Sequence, residues 1–371
     1  LAQDALLFYV FWELALIPIF FIGLACSTAS RATLIKFFVY TVLGSLSMLL
    51  GFIYVYLHTG SGGMHSWAYE AMATAAQNLP IKEQAFVFCA LFMAFAIKLP
   101  VFPFHSWQPN TYVEMPVYGT MMLSGIMLKM GVYGVAHWLI PLTPLGLELV
   151  RDSVLILTIV GVLYASVIAI QQTDFKRLIA YSSMAHVGII VCGLFSVNDQ
   201  GMQGALFQSF SHGLCVIGLL LICQMLEQRY GTRILSDLGG IRAQHPWFSV
   251  LFLVLTLGSV ALPLTSSFIG EFLIFNGLYT YSTAMMGFAG LSVILGAVYM
   301  LRAYQRSMLG PEKINSETGP TWSKTHYYLL AGIAVLILFL GIYPAPLNSL
   351  AELATEKIFN IMNQPTDYPL D

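Results

Sequence analysis

The chain has 371 residues, of which 58% are apolar and only 9% are charged, and its mean hydropathy is +0.77. Soluble globular domains contain about 45–50% apolar and about 25% charged residues, so this composition excludes a water-soluble enzyme, a nucleic-acid-binding protein and a disordered chain. Sixteen Lys and Arg residues against eighteen Asp and Glu residues give a net charge of −2, which provides no basic surface for nucleic acid.

Ten apolar segments can cross a bilayer, whose hydrocarbon core of about 30 Å needs roughly 20 helical residues. In chain order they are residues 5–26, 34–57, 85–99, 118–140, 153–170, 178–195, 202–226, 248–279, 284–301 and 327–343. None of the segments alternates apolar and polar residues, as the strands of a membrane barrel do. The sequence therefore predicts an all-α polytopic membrane protein with about ten transmembrane helices.

Two of these segments contain residues that interrupt a regular helix. The third is followed by Pro100 and Pro103, and the eighth is interrupted at Pro263. Proline lacks a backbone donor and clashes with the preceding turn, so both helices are predicted to unwind inside the protein. Two interrupted helices, five helices apart, are typical of transporters with inverted five-helix repeats. We interpret residues 1–140 as a first repeat that lacks its first helix, 153–308 as the second repeat, and 309–371 as a C-terminal helix and tail.

The links between the segments carry unequal positive charge. Links after odd-numbered segments contain eleven Lys and Arg residues: Arg31, Lys36, Lys176, Arg177, Arg229, Arg233, Arg242, Arg302, Arg306, Lys313 and Lys324. The opposite side has only Lys82, Arg151 and Lys357. Because positive loops stay in the cytoplasm, the odd-numbered links are predicted to be cytoplasmic and both ends of the chain to face outward.

Four ionisable residues lie where hydropathy alone would exclude them: Glu13, Lys98, Lys129 and Glu271. A charge at the centre of a membrane helix costs about 2.5–3.5 kcal/mol, so such residues usually face the bundle interior and have a partner. Snorkelling to the headgroups is the alternative, and the depth of Glu13 and Lys129 disfavours it. We interpret the four residues as proton-handling groups, with a hypothetical contact between Glu13 and Lys98 and with Lys129 as the next acceptor.

Two histidines, His186 and His212, lie in mid-segment beside serine hydroxyl groups. Imidazole can transfer protons near neutral pH, but a hydrogen-bonded packing role fits these positions equally well. Glu114, at the start of the fourth segment, is interpreted as a helix-start or interface group. The sequence contains no cysteine cluster for iron–sulfur, no dinucleotide fingerprint and no phosphate-binding loop, so we expect no redox cofactor in this chain.

At these residues the sequence resembles the antiporter-like membrane subunits of respiratory complex I, and most closely the M-type subunits of bacterial NADH:quinone oxidoreductase. Six stretches carry the resemblance in the order of the family: FWELALIPIFFI, FAIKLPVFPFHSWQPN, SGIMLKMGVYG, DFKRLIAYSSMAHVG, FSHGL and SFIGEFLIF. The resemblance implies two inverted repeats within fourteen helices, of which this chain is helices five to fourteen, with the N-terminal part missing. Gln108-Pro109-Asn110 departs from the Leu-Pro-Asp that is common in the family.

The resemblance also implies roles for the buried residues. Glu13 is the carboxylate partner of Lys98, Lys129 continues the path through His186 and His212, and Glu271 is the terminal residue. The implied function is outward proton movement coupled to electron transfer from NADH to quinone in other subunits, which carry FMN and iron–sulfur clusters. The implied partners are the other membrane-arm subunits, including sister antiporter-like subunits, and the lipid bilayer of the inner (cytoplasmic) membrane, with no nucleic acid.

Three other functions are alternatives to this one, and the four buried charges disfavour the third. They are a subunit of a multisubunit sodium/proton antiporter, the membrane arm of an energy-converting hydrogenase, and a structural scaffold that conducts no ion. Glu271 and the link GTRILSDLGGIRAQHPWF favour the complex I subunit. Antiport by vesicles without NADH would favour the first alternative.

Overall fold

All regular elements of the described chain are helical, which confirms the all-α class. The computed structural model describes residues 2–26, 30–60, 64–312 and 319–362. The helices are α1 Ala5–Leu14, α2 Leu16–Cys26, α3 Arg31–His58, α4 Tyr69–Gln77, α5 Ile81–Lys98, α6 Gln108–Glu114, α7 Val117–Met122, α8 Leu128–Tyr133, α9 Ile140–Leu142, α10 Pro144–Gln171, α11 Phe175–Ser196, α12 Asp199–Tyr230, α13 Ile241–Gln244, α14 Pro246–Ser259, α15 Ser266–Tyr281, α16 Thr283–Met308, α17 Lys324–Ile342 and α18 Ala345–Met362.

Eight helical stretches of the described residues are long and apolar enough to cross a bilayer. They are Ala5–Ala25, Arg31–His58, Val117–Leu142, Pro144–Gln171, Phe175–Ser196, Asp199–Tyr230, Thr283–Met308 and Lys324–Ile342. Each of them matches one predicted segment, and the two remaining predicted segments are those in which the sequence predicts a break. The polytopic membrane fold is therefore confirmed.

Both predicted breaks are present. α5 ends at Lys98 and α6 begins at Gln108, with an irregular segment between them that contains both prolines. α14 ends at Ser259 and α15 begins at Ser266. Between these two helices, Ala261 and Leu264 have φ angles of 58° and 76°, a left-handed conformation that is unfavourable for residues with a side chain. Neighbouring helices therefore have to hold this second break in place.

The fourth predicted span, Val117–Leu142, is an irregular helix. Two π-helical segments, Leu123–Met127 and Gly134–Leu139, separate α7, α8 and α9. A π-helical turn inserts an extra residue and displaces backbone carbonyls from the regular ladder, and such turns often occur at functional sites. The short α8 between them carries Lys129.

Helices α12 and α15 pack backbone against backbone. A β-carbon on Gly204 would lie 2.7 Å from the nitrogen of Ile274, and one on Gly277 would lie 2.5 Å from the nitrogen of Gly201. Small residues permit such close approach between membrane helices. This packing brings the middle of α12 next to the first turns of α15, where the functional side chains lie.

Four helices, α4, α6, α13 and α18, have no counterpart among the predicted spans. Gln77 of α4 donates from Nε2 to the carbonyls of Pro141, at 2.7 Å, and of Ile361, at 3.0 Å, so the side chain ties α18 to the end of the fourth span. The division into two repeats remains a prediction. Lys313, counted among the cytoplasmic charges, and the tail beyond residue 362 lie outside the described residues.

Candidate functional site

The six ionisable residues singled out by the sequence are distributed over six helices. Glu13 lies near the end of α1, Lys98 ends α5, Lys129 is in α8, His186 is in α11, His212 is in α12, and Glu271 is in the first turns of α15. Four of them form a connected series in the order Lys129, His212, His186 and Glu271.

Lys129 contacts both its own helix and α12. Its Nζ atom donates to the carbonyl oxygen of Ser124 at 2.7 Å and lies 3.0 Å from Nδ1 of His212. Ser124 belongs to the π-helical segment that precedes α8. A β-carbon on Gly213 would lie 3.5 Å from Cε of Lys129, an ordinary van der Waals distance, so the lysine side chain packs over this residue of α12. The ammonium group is therefore held directly against an imidazole ring.

His186 and Glu271 form the second direct contact of the series. Nδ1 of His186 lies 2.9 Å from Oε1 of Glu271, and the two side chains are only 14% and 6% exposed. Gln208 of α12 donates from Nε2 to the same carboxylate oxygen at 3.1 Å. The carboxylate is thus oriented by one group from α11 and one from α12.

The two histidines connect these contacts. Their ring centroids are 6.0 Å apart. The Nε2 atoms of both rings are buried, and neither has a hydrogen-bonding partner within the described part of the chain. A neutral imidazole can accept a proton at one nitrogen and release one from the other, so two neighbouring rings can pass a proton in one direction. The four side chains thus form a line of titratable groups through the bundle interior.

Lys98 lies at the other end of the predicted proton path, where the sequence predicts a contact with Glu13. It is 5% exposed, and its Nζ atom is 4.9 Å from the centroid of the Trp12 ring, a cation–π distance. In the described chain, no distance of 4.0 Å or less joins a Glu13 carboxylate oxygen to the Lys98 ammonium. The hypothetical Glu13–Lys98 contact is therefore not a direct ion pair here, and the ammonium lies over the ring of Trp12, the residue before Glu13.

Sequence reasoning missed several polar groups of the site. Gln208 lies four residues before His212, and this one-turn spacing on α12 is a signal that could have identified it. A small cavity, of about 10 Å³ for the centre of a water molecule, is lined by Glu271, Ser259 and Tyr299 among others. This volume is close to the minimum for one water molecule. The Tyr299 hydroxyl donates to Oγ of Ser182 at 3.1 Å, and no spacing in the sequence predicted that contact.

Glu114 lies outside this series and stabilises a helix start. Its Oε2 atom accepts from the backbone nitrogen of Ser30 at 2.8 Å, and its Oε1 atom accepts from the Thr33 hydroxyl at 3.0 Å. Ser30 precedes the first residue of α3. The interpretation of Glu114 as a helix-start group is supported, although the helix that it caps is α3 rather than its own.

Among residues 2–26, 30–60, 64–312 and 319–362, no group of three or more His, Cys, Asp or Glu side chains is placed to hold a metal ion. The ionisable side chains of the site instead form two direct contacts, Lys129–His212 and His186–Glu271, between ammonium, imidazole and carboxylate groups. Such groups exchange protons directly or through water.

Residues 2–296 match the family described as "NADH:quinone oxidoreductase/Mrp antiporter, TM". The chain is 37% identical over 359 residues to NADH-quinone oxidoreductase subunit M of Rickettsia bellii, which covers 96% of this chain and 71% of the relative. A chain of respiratory complex I from Thermus thermophilus superposes with a TM-score of 0.87 at 32% identity, covering 98% of this chain and 76% of that one. A chain of the Mrp complex from Dietzia superposes with a TM-score of 0.82 at 20% identity, covering 97% of this chain and 76% of that one. At this identity the superposition shows a shared fold alone.

Proposed function

The chain belongs to the NADH:quinone oxidoreductase/Mrp antiporter transmembrane family as an M-type subunit, and from this premise we propose that it moves protons along the series Lys129, His212, His186 and Glu271. As an M-type member it is a proton-translocating membrane subunit of NADH:quinone oxidoreductase. The observation that carries the proposed route is the pair of direct contacts, 3.0 Å between Lys129 and His212 and 2.9 Å between His186 and Glu271.

Each residue of the series has a chemical task in this proposal. Lys129 receives a proton on its amine and passes one to His212 across their direct contact. The two imidazoles carry the proton to the carboxylate of Glu271. Because four different helices supply the four groups, small movements of the helices change the distances between successive groups and so control each step.

Lys98 and Glu13 form the other half of the proposed route. The Lys98 ammonium is buried against Trp12, and Glu13 is the next residue of α1, so we expect the charge of the lysine to respond to the position of this carboxylate. When the carboxylate approaches, it stabilises the protonated lysine, and when it withdraws, burial favours proton release. This change gives the first lysine a way to pass a proton towards Lys129.

We further propose that the partners of the chain are the other membrane-arm subunits of the complex, including sister antiporter-like subunits. In this proposal NADH, FMN, iron–sulfur clusters and quinone are bound by other subunits, and this chain contributes only the proton path. The inner (cytoplasmic) membrane is the proposed location of the complex.

The function can be tested with the complete complex, purified in mild detergent and reconstituted in proteoliposomes. Addition of NADH and quinone is expected to move protons into the lumen, and Lys98→Ala is expected to reduce this movement strongly. The exposed Lys324, at the start of α17, provides the matched control Lys324→Ala. Sodium/proton antiport without NADH, with no NADH-driven pumping, would instead assign the chain to an antiporter complex.

A further inference from the structure

The second helix break, residues 260–265 between α14 and α15, is covered by a glycine of α17. A β-carbon on Gly341 would lie 2.5 Å from the carbonyl carbons of both Leu264 and Thr265, and closer still to the carbonyl oxygen of Leu264. Real β-carbons do not come this close to backbone atoms. Only a residue without a side chain therefore fits at this position, and α17 lies directly against the backbone of the break.

The break needs outside support because its backbone conformation is unfavourable and its side chains pack little. Ala261 and Leu264 have φ angles of 58° and 76°, a left-handed conformation that crowds the β-carbon against the backbone. The Leu264 side chain is 65% exposed, and that of Leu262 is 44% exposed. Strained backbone persists only where the surrounding structure holds it. Contacts with the backbone of the break therefore have to supply this restraint.

The same face of α17 also packs on the end of α14. A β-carbon on Gly258 would lie 3.0 Å from Cγ2 of Ile337, which is fully buried. Ile337 and Gly341 are one turn apart and share a helix face. Within the break, Thr265 donates to the Leu262 carbonyl from its backbone nitrogen at 3.1 Å and from its hydroxyl at 2.7 Å. These bonds close a local turn, and α17 fixes that turn relative to the bundle.

The position of the break determines the position of Glu271. α15 begins at Ser266, and Glu271 follows about 7.5 Å further along the helix axis. Because the helix backbone is rigid over this length, a shift of the break displaces the carboxylate. The contacts of the carboxylate with His186, at 2.9 Å, and with Gln208, at 3.1 Å, are hydrogen bonds. A shift of about 0.5 Å is enough to weaken them.

We propose that Gly341 of α17 holds the second helix break in its left-handed conformation and thereby positions the Glu271 carboxylate against His186 and Gln208. The inference rests on the proposed proton route, of which this carboxylate is the last group. Gly341 exchanges no proton, so it is a positioning residue that acts through Glu271. The C-terminal helix, which lies outside both predicted repeats, thus takes part in the geometry of the proton path.

The test uses the complete complex in proteoliposomes, with Gly341→Ala in this subunit and with rates normalised to the amount of assembled complex. The added methyl group has to displace the carbonyl of Leu264, so NADH-driven pumping is expected to fall at least threefold. The matched control is Gly332→Ala on the same helix, where a β-carbon would meet nothing within 4 Å. This control is expected to pump like the original complex.

A double variant separates positioning from a general loss of stability. If Gly341 acts through the carboxylate, Gly341→Ala causes no further loss of pumping in a chain that already carries Glu271→Gln. A loss by the same factor in both backgrounds, or unchanged pumping by Gly341→Ala alone, would overturn the inference and leave the proposed route in place. Normal pumping by Glu271→Gln alone would refute the proposed route, and the inference with it.

A second measurement uses the unaltered complex and therefore does not depend on the assembly of any variant. Backbone hydrogen exchange in a peptide covering residues 260–266 is expected to be as slow as in the following turns of α15, because α17 holds the break closed. Exchange at least tenfold faster in the break than in those turns would show that the break opens freely, and the inference would be wrong.

Discussion

His186 and Glu271 are joined at 2.9 Å although 85 residues separate them in the chain. Their contact depends on α15 starting directly after the second helix break, which places Glu271 opposite the middle of α11. Gln208 adds a second donor to the same carboxylate oxygen at 3.1 Å. The carboxylate is therefore the point at which three helices of the second half of the chain meet.

Replacement of this carboxylate by an amide tests its role as a proton acceptor. Glu271→Gln keeps the size of the side chain but removes the ionisable group. We expect NADH-driven proton pumping to fall by about tenfold or more, the scale on which loss of a positioned acid or base acts. The measurement is the initial rate of lumen acidification per complex, with Glu271→Asp as a control that should retain part of the rate. An unchanged rate in Glu271→Gln would show that the acid is not used.

The close packing of α12 against α15 should be sensitive to a single methyl group. A β-carbon on Gly270 would lie 2.6 Å from Oε1 of Gln208, so Gly270→Ala has to displace Gln208 and weaken its bond to Glu271. We expect a loss of about 1–3 kcal/mol in stability, as for other overpacked interiors, together with slower pumping. Thermal unfolding in detergent measures the first effect.

The matched control for this substitution is Gly287→Ala on α16, where a β-carbon would meet nothing within 4 Å. That variant should unfold and pump like the original protein. Equal unfolding temperatures for the Gly270 and Gly287 variants would contradict the tight contact.

Loss of the Glu114 side chain should destabilise the start of α3. Glu114→Ala removes the acceptor for Ser30 and Thr33, and removal of a helix cap typically costs about 1 kcal/mol. Faster backbone hydrogen exchange in the first turn of α3 is the expected result. The exposed Glu356 on α18 provides the control Glu356→Ala. If the first turn of α3 exchanges at the same rate in both variants, the cap has no role in stability.

Lys176 should be important for the position of α6 rather than for proton transfer. It is 2% exposed, and its ammonium donates to the carbonyls of Val113 and Met115 at the end of that helix. Lys176→Met leaves those carbonyls without their charged donor, and we expect a loss of about 2 kcal/mol in stability. The control is Lys324→Met, which replaces an exposed lysine at the start of α17. Equal thermal stability of the two variants would show that the buried ammonium does not hold α6.

The sequence predicted the elements that follow from hydropathy and from proline. Eight of the predicted spans and both breaks are present in the described chain, because a bilayer demands long apolar helices and because proline interrupts them. Lys176 shows the limit of that reasoning, since its place in a link between two spans did not indicate that its side chain is buried against α6. Hydropathy gives no information on which carbonyl a long side chain reaches.

The sequence identified individual residues of the site but not the contacts between them. A buried charge identifies Lys129 or Glu271 on its own, but the partner comes from another helix, and helix packing depends on small residues such as Gly204 and Gly270. The π-helical segment before Lys129 has no sequence signal that we recognised. The expected contact between Glu13 and Lys98 illustrates the same limit, because opposite charges suggested an ion pair where the Trp12 ring lies against the lysine.

The central claim is most directly tested by the number of protons pumped per NADH oxidised in the complete complex with Lys129→Met. Methionine keeps the length and burial of the side chain but removes the amine that contacts His212 at 3.0 Å. We predict fewer protons per NADH, or a matching loss of NADH oxidation if the two processes are strictly coupled. Unchanged proton yield together with an unchanged oxidation rate would contradict a proton path through Lys129.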